Sequence, residues 1–572
     1  MNARWHFAPR SSELASLLAE QLQLPPLVAN CLVNRGCDCP ESAREYLAPK
    51  LARLSDPFLL PNMERAVDRL LQAHEHREPF VIFGDYDVDG VTATALLTEF
   101  FRALGWECSH YLPHRLDEGY GLSQDGVENC LEKYPVKLLL AVDCGSTAVE
   151  VIKTVAGGGV DVLVLDHHQV SSPAPLAVAL VNPQLLDSNC AAAHLKNLCS
   201  VGLAFKLAHA VLKRCRALGW EKAHAHDLKQ YLDLVALGTI ADLVPLQGEN
   251  RVLARSGLER LAQTNRVGLR ALKKVSGVNG AVSCHQVGFQ LAPRLNAAGR
   301  LETALDALDL LLTDDAVRAD SLAAALDAQN RERQSIEKKI ADEAISAIRA
   351  RFNPEADFAI VEGNASWHLG VVGIVASRVV REFHRPVLIL GSDGSETWRG
   401  SGRSIEGFDF AAGLRQCGDL LVKHGGHAMA AGVTMAASKL SDLRSRFNEL
   451  ARTTLPPEAL QPALKLDAEV RLSDLSFAVL KSLEQIQPIG LGNPSVQLAA
   501  RGLRSISSHR VGTEKKHLRF TVTDGSATHQ ALWWNCEMPE LPAAFDLAFA
   551  PELSEYNGTL GIQLKVLDLK PI

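Results

Sequence analysis

The sequence lacks the signatures of several large protein classes. Its twelve cysteines include no Cys-x-x-Cys pair, and the spacing of Cys37 and Cys39 is poor for zinc, which disfavours a zinc ribbon and a disulfide framework. No apolar run reaches about 18 residues. The first residues contain no long apolar segment, so we expect neither a membrane span nor a signal peptide. Reduced thiols and the absence of these signals indicate a cytoplasmic protein.

The chain also has no excess of positive charge. Its formal net charge is -7 over 572 residues, so binding of a polyanion would need a local cluster of Arg, Lys and backbone amides. The length indicates about three or four domains. A hydrophobic content of 47% is enough for several cores.

Between residues 55 and 250, predicted strands alternate with predicted helices. Short apolar runs predict strands at 80–83, 107–112, 138–142, 161–165 and 178–181. Helical spacing predicts helices from Val91 onward, at 123–133 and at 147–156. This alternation implies an α/β domain with a parallel, doubly wound sheet, in which ligands bind beyond the carboxyl ends of the strands.

Three of these strands run directly into acids or histidines. Asp85, Asp87 and Asp89 follow the first strand, Asp143 follows the strand at 138–142, and Asp166-His167-His168 follows the strand at 161–165. The spacing of two predicts that the first three carboxylates lie on one side of an extended segment. Carboxylates with an imidazole suit Mn²⁺ or Mg²⁺. Two such ions can clamp a phosphate and generate hydroxide, so the pattern indicates two-metal phosphoester hydrolysis.

Each of these acids also has a simpler interpretation. A single Asp after a strand is usually a turn former or a helix N-cap. Asp242 is the only charge in the apolar run from Leu234 to Leu246, and it could either bind metal or bond to a helix end before Pro245. The convergence of three clusters at one sheet edge is what favours a metal site.

The second half of the chain contains two further sequence patterns. Residues 314–350 contain no Gly or Pro and predict a long connecting helix. A second α/β pattern follows over 357–453, with two predicted Gly-rich turns at 400–404 and 425–427. Such turns either cradle a phosphate or are ordinary glycine turns.

From about residue 462, short alternating strands predict a small closed β-barrel of the OB type. Asp524-Gly525 and Asn557-Gly558 are predicted hairpin turns. Basic residues near Phe520 and Trp533-Trp534 suit a groove for single-stranded nucleic acid, where bases stack on aromatic rings.

The acidic and histidine motifs together resemble those of the DHH phosphoesterase superfamily, in order. They are Gly84-Asp85-Tyr86-Asp87-Val88-Asp89-Gly90, Val142-Asp143-Cys144-Gly145, Asp166-His167-His168 and Ala241-Asp242. Nearly the whole chain resembles the RecJ family of single-strand-specific 5′→3′ exonucleases. The segments that carry this resemblance are 113–121, 294–300, 400–404, 425–432 and 488–494.

The resemblance implies a site with two ions, either Mn²⁺ or Mg²⁺. One ion would be held by Asp89, Asp143, His167 and Asp242. The second would be held by Asp87 and Asp143. Asp85, close by, and His168, in contact with the scissile phosphate or its leaving group, would be the catalytic residues.

In the family that the chain resembles, the second α/β domain faces the first across a cleft and grips nucleic acid. The chemistry of the residues agrees, since amides, a hydroxyl and guanidinium groups can hold phosphates. The predicted substrate-binding residues are Arg115, Arg294, Ser401, Arg403, Gly425, Gly426 and His427. For Arg115 and Arg294, a surface salt bridge is the alternative.

The expected protein is therefore a metal-dependent 5′→3′ exonuclease that degrades single-stranded DNA to 5′-mononucleotides in recombination and repair. A monomer supplied by a helicase and a single-strand-binding protein is expected. Two rivals stay open, a phosphodiesterase of small substrates and a non-catalytic scaffold. The predicted domains are a helical cap at 1–54, a DHH domain at 55–313, the helix at 314–350, a DHH-associated domain at 351–455 and an OB domain at 456–572.

Overall fold

The computed structural model describes residues 3–9, 12–114, 117–119, 121–301, 303–392, 394, 396–556 and 559–572. Within these residues, no helix combines the length and the apolar character that crossing a bilayer requires. The chain forms two compact units. One comprises Arg44–Asn330 with Gln485–Ser495, and the other comprises the residues up to Ala43 with Arg331–Glu484 and Val496–Ile572.

The N-terminal segment contains a strand as well as the expected helices. The elements are β1 (Arg4–Phe7), α1 (Ser12–Leu22), α2 (Pro26–Val33) and α3 (Pro40–Leu47). β1 pairs in parallel with β12 (Ala463–Leu466). The prediction of an all-helical cap misses this strand, because its partner lies near the opposite end of the sequence.

A five-stranded parallel sheet forms the centre of the first unit, as predicted. Its strands are β2 (Phe80–Gly84), β3 (Cys108–Tyr111), β4 (Leu138–Val142), β5 (Asp161–Leu165) and β6 (Ala179–Val181). Their order in the sheet is β3-β2-β4-β5-β6. Every residue of β2 and β4 is buried, which is why these strands are continuous apolar runs.

Helices cover both faces of this sheet. The α-helices of this unit between residues 63 and 312 are α4 (Met63–Glu75), α5 (Val88–Leu104), α6 (Gln124–Lys133), α7 (Val149–Gly157), α8 (Ser200–Ala217), α9 (Glu221–Ala225), α10 (Leu232–Ala241), α11 (Gly248–Ala262), α12 (Val267–Val275), α13 (Cys284–Gln286), α14 (Ala292–Leu301) and α15 (Leu305–Leu312). A π-helical segment, Val287–Leu291, joins α13 to α14. The long helix α16 (Ala316–Arg349) is present as predicted, and the boundary between the two units falls within it.

The second sheet is mixed, with the order β10-β11-β9-β8-β7. Its strands are β7 (Ile360–Gly363), β8 (Val387–Ser392), β9 (Thr397–Arg403), β10 (Lys423–Gly426) and β11 (Ala430–Ala436). Its helices are α17 (Val372–Phe383), α18 (Phe410–Arg415) and α19 (Leu440–Thr454). Only β7 and β8 are parallel.

The predicted turn at 400–404 is wrong, and the turn predicted at 425–427 begins later, since the backbone groups of His427 and Ala430 bond to each other. Residues 400–403 lie in β9, and Gly425 and Gly426 end β10. Glycine at position 402 allows close packing and does not form a turn. A Cβ at this position would lie 2.1 Å from the Phe410 ring.

A closed five-stranded barrel ends the chain, as predicted. The elements are β13 (Ala468–Glu469), α20 (Phe477–Leu483), β14 (Leu498–Val511), β15 (His517–Thr523), β16 (Thr528–Trp533), β17 (Phe545–Tyr556) and β18 (Thr559–Pro571). Pairing runs β14-β15-β16-β18-β17 and returns from β17 to β14. Asp524-Gly525 forms the β15–β16 hairpin, whereas Asn557-Gly558 lies outside the described residues.

Candidate metal centre

The parallel register brings the ends of β2, β4 and β5 to one point. Gly84 pairs with Val142, and Val142 pairs with Leu165. The next residues continue the ladder, since Asp85 N donates to Val142 O at 3.2 Å and Asp143 N donates to Leu165 O at 3.0 Å. The loops that carry the three clusters therefore start side by side.

His167 lies among three carboxylates from three different elements. Its Nε2 is 3.5 Å from Asp143 Oδ1, 3.6 Å from Asp242 Oδ2 and 3.9 Å from Asp89 Oδ2. Asp242 reaches this position as the C-terminal cap of α10, directly after Ala241. The four residues expected from the sequence at one ion therefore meet, although they come from four separate segments.

A second group overlaps the first. Asp85, Asp87 and Asp143 each place a carboxylate oxygen so that the three oxygens lie within 4.8 Å of one another. Asp143 belongs to both groups, so it would contact both ions if two were bound. Asp87 is also the N-cap of α5, because its Oδ1 accepts from the N–H groups of Asp89 and Gly90 at 2.9 and 3.2 Å.

This capping corrects one sequence prediction. The three acids do not alternate along an extended segment, since α5 begins at Val88 rather than Val91 and contains Asp89. The helix turn, rather than a strand, points Asp89 into the cluster.

The N-terminus of α8 holds Asp89. Ser200 N and Val201 N donate to its two carboxylate oxygens at 2.6 and 2.8 Å, an arrangement favoured by the positive end of the helix dipole. Ser200 Oγ also donates to Asp143 Oδ1 at 2.8 Å. Sequence reasoning missed Ser200, because a serine before an apolar helix has no feature that separates it from an ordinary cap.

The carboxylates of this cluster lie close together in a buried site, which disfavours their charged forms. Burial, and then the charge of Asp87, raises the pKa of Asp89 to about 7. Burial, and then Asp89, raises the pKa of Asp242 to about 9, and the pKa of Asp143 is also raised well above its ordinary value. Asp242 Oδ2 is buried and accepts no hydrogen bond from the described residues. A bound divalent cation would supply the missing positive charge, so this set of donors fits one.

The backbone at Asp143 is strained as well. Its φ is +64°, in the left-handed region that residues other than glycine enter at a cost of about 1–2 kcal/mol. Strain of this kind collects at functional sites, where the surrounding structure holds it in place.

Asp166 orients the histidines and is absent from the candidate ligand groups of the described residues. Its Oδ1 lies 2.8 Å from His167 N and 2.7 Å from His168 Nδ1, and its Oδ2 accepts from Ser146 N at 3.0 Å. Burial alone would raise the pKa of Asp166, but His168 lowers it well below its usual range. Burial lowers the pKa of His168, but Asp166 outweighs it and raises that pKa to about 9.

Two predicted substrate residues meet in the second sheet. Arg403 Nη1 donates to Ser401 Oγ and to Gly402 O, both at 2.8 Å. Both side chains border the start of α17, because a Cβ on Gly373 would lie 3.0 Å from Ser401 Oγ and 3.1 Å from Arg403 Nη2. Within the described residues no carboxylate pairs with Arg403. A guanidinium, a hydroxyl and a helix N-terminus together suit a phosphate.

The other predicted substrate-binding residues lie in different environments. Arg294 Nε donates to Asp327 Oδ1 at 2.9 Å, so the structure contains the ion pair that was the alternative for this residue. Gly425 and Gly426 are exposed at the end of β10, and the exposed His427 follows them. Arg115 lies outside the described residues.

Comparison with known proteins agrees with this architecture. Family models match at residues 79–239 (DHH family, N-terminal domain), 356–453 (DHHA1 domain) and 466–568 (RecJ OB domain). The single-stranded-DNA-specific exonuclease RecJ of Dickeya dadantii is 35% identical over 96% of both chains. The chain belongs to the RecJ family. The RecJ of Bacillus subtilis is 39% identical over 93% of this chain and 66% of its own length.

Solved RecJ structures share the fold. RecJ of Thermus thermophilus in complex with Mn²⁺ has a TM-score of 0.85 and 31% identity, with 100% of this chain and 80% of that chain covered. The complex of the same protein with Mg²⁺ has a TM-score of 0.79 and 30% identity, with 100% and 78% covered. This relative therefore binds Mn²⁺ and Mg²⁺, the two kinds of cation that the cluster of acids and His167 suits.

Proposed function

We propose that this protein is a metal-dependent exonuclease that removes 5′-mononucleotides stepwise from the 5′ end of single-stranded DNA. The observation that carries the proposal is the meeting of Asp89, Asp143, Asp242 and His167 at one sheet edge, where the acids are buried with raised pKa values. Membership of the RecJ family supports the choice of substrate, because its relatives are named as single-stranded-DNA-specific exonucleases.

The proposed ligands divide between two ions. Asp89, Asp143, His167 and Asp242 hold the first, and Asp87 and Asp143 hold the second, with Asp85 beside it. Two bound cations would clamp the scissile phosphate and activate a water for in-line attack. The chain's own contribution is to fix the carboxylates, through the N-terminus of α8 at Asp89 and the Ser200 hydroxyl at Asp143.

His168 is proposed to contact the scissile phosphate or its leaving group. Its Nδ1 is engaged by Asp166 at 2.7 Å, which fixes the ring and directs Nε2 away from that contact. Asp85, with an Oδ1 that is buried beside the second ion group, is the other proposed catalytic residue.

Ser401 and Arg403 are proposed to bind a substrate phosphate within the second α/β domain. The support is a guanidinium that donates to a neighbouring hydroxyl and has no acidic partner among the described residues. Arg115, Arg294, Gly425, Gly426 and His427 complete the proposed set. For Arg294, binding of DNA would compete with its ion pair to Asp327.

The cellular setting is also proposed. We infer that the protein acts as a monomer in the cytoplasm, in recombination and repair, on strands that a helicase and a single-strand-binding protein deliver. The domain boundaries given above stay predictions, which limited proteolysis with mass spectrometry would locate.

One experiment tests activity, polarity and strand preference together. Single and double strands labelled at either end are digested with Mn²⁺ or Mg²⁺. We expect chelator-sensitive release of labelled mononucleotide from the 5′-labelled single strand first, and little release from the duplex. Absence of metal-dependent release would contradict the proposal, and release from the 3′ label first would overturn the polarity.

A further inference from the structure

An exposed aromatic pair lies on the π-helical segment between α13 and α14. Phe289 is 68% exposed, and its ring stacks on the ring of His285 at a centroid distance of 4.7 Å and an angle of 26°. Single exposed apolar residues are ordinary. This one is paired with a second ring and sits on a π turn, a feature frequent at functional sites. One face of the Phe289 ring is covered by His285, and the ring as a whole stays open to solvent.

The segment that carries the pair is firmly held. Ser283 Oγ accepts from Gln286 N at 3.2 Å, and Gln286 Oε1 accepts from Ser283 N at 2.9 Å, which closes a capping box at the start of the helix. Val287 and Leu291, on either side of Phe289, are fully buried. The outward position of Phe289 is therefore set by packing and is not the result of a loose loop.

The helix α14, which continues from this segment, contacts the loop that carries Asp87. Asn296 Oδ1 accepts from Val88 N at 3.2 Å, directly between Asp87 and Asp89. Asn296 follows Phe289 by seven positions, which is about two helical turns and about 10 Å along the axis. The aromatic pair therefore lies about two turns along the helix from the loop that holds the candidate metal ligands.

We propose that Phe289, supported by His285, is a stacking platform for an unpaired base of the substrate strand. The proposal rests on the proposed function and names a subsite for it. A single strand has bases with free faces, whereas bases inside a duplex already stack on one another, so a platform of this kind favours single strands. An aromatic platform tolerates any base, because every base has a π face.

The test compares a strand with bases to a strand without them. Binding of an oligo(dT) and of an abasic strand of equal length is measured on the full-length chain with divalent cations chelated, so that neither strand is cut. Phe289→Ala is expected to raise the Kd for oligo(dT) about tenfold, as loss of one stacked base predicts, and to leave the Kd for the abasic strand unchanged. Phe289→Trp is expected to restore binding, and oligo(dT) is expected to quench the added tryptophan's fluorescence.

Leu176→Ala is the matched control, since Leu176 is 85% exposed in the same unit and is expected to affect neither strand. Equal Kd values for wild type and Phe289→Ala, or an equal loss on both strands, would overturn the platform. Failure of the proposed function is a separate result, because it would appear as a lack of Mn²⁺-dependent nucleotide release by the wild-type chain.

Discussion

The parallel sheet and the mixed sheet contain buried charge of opposite sign. At the carboxyl edge of the parallel sheet, Asp89, Asp143 and Asp242 crowd together, and burial raises their pKa values. In the mixed sheet, Arg403 is partly buried, and burial lowers its pKa. Its hydrogen bonds go to a hydroxyl and a carbonyl, without an acid among the described residues.

The sign of the charge in each arrangement indicates the kind of ligand that it suits. A buried charge needs a counter-charge. The acids therefore favour a bound cation, and the guanidinium favours a bound anion. A metal-dependent enzyme that cuts a phosphodiester has both, as its metal ions and its substrate phosphate. The comparison predicts that changes at the parallel sheet abolish chemistry, whereas changes at the mixed sheet weaken binding.

The largest expected effect is at Asp143, which belongs to both metal groups. Asp143→Ala should lower the initial rate of nucleotide release at least about a thousandfold, because both ions lose a ligand. The Kd for single-stranded DNA should stay within about threefold of the wild-type value, as measured by fluorescence anisotropy. Calorimetric titration with Mn²⁺ should show reduced occupancy.

Asp161→Ala is the control for this variant. Asp161 begins β5 at the opposite end of the sheet, where its side chain is 48% exposed and pairs with Arg69. This variant should keep wild-type activity, since Asp161 lies away from the metal groups and the buried Arg69 keeps a second acidic partner, Glu78, at 2.6 Å. Undiminished turnover in Asp143→Ala would refute the bridging role.

A smaller loss of activity is expected from a change at Asp166, which fixes the orientation of the His168 ring. Asp166→Asn removes the charge that fixes the imidazole, and partners that orient a site residue typically contribute about 10–100-fold. We expect a rate loss of that size with Mn²⁺ binding unchanged in a calorimetric titration. Loss of metal binding would instead make Asp166 part of the metal site.

The smallest effect is expected in the mixed sheet. Arg403→Ala should raise the Kd for single-stranded DNA about tenfold, the value of one hydrogen-bonded charge contact, with metal content unchanged. Arg415→Ala, an exposed arginine on α18, is the control and should bind normally. Intact affinity in Arg403→Ala would argue against a phosphate site there, and lost metal in this variant would remove the contrast between the two sheets.

The sequence alone determined the strands of the parallel sheet and the chemistry of the site. The strands β2 and β4, and β5 after Asp161, can be predicted because burial makes each one an apolar run. The acids and histidines that follow these strands can be predicted as ligands because of their chemistry. The order of strands and helices is enough to expect a parallel sheet with its ligands at one edge.

Only the tertiary structure decided which atoms meet. The π turn at Phe289, the pairing of β1 with β12, and the bonds of Ser200 to Asp89 and Asp143 leave no local pattern. They depend on segments far apart in the chain, whereas propensity and periodicity report only on near neighbours. The same reason explains Gly402 of β9, whose small size makes room for the Phe410 ring and does not form a turn.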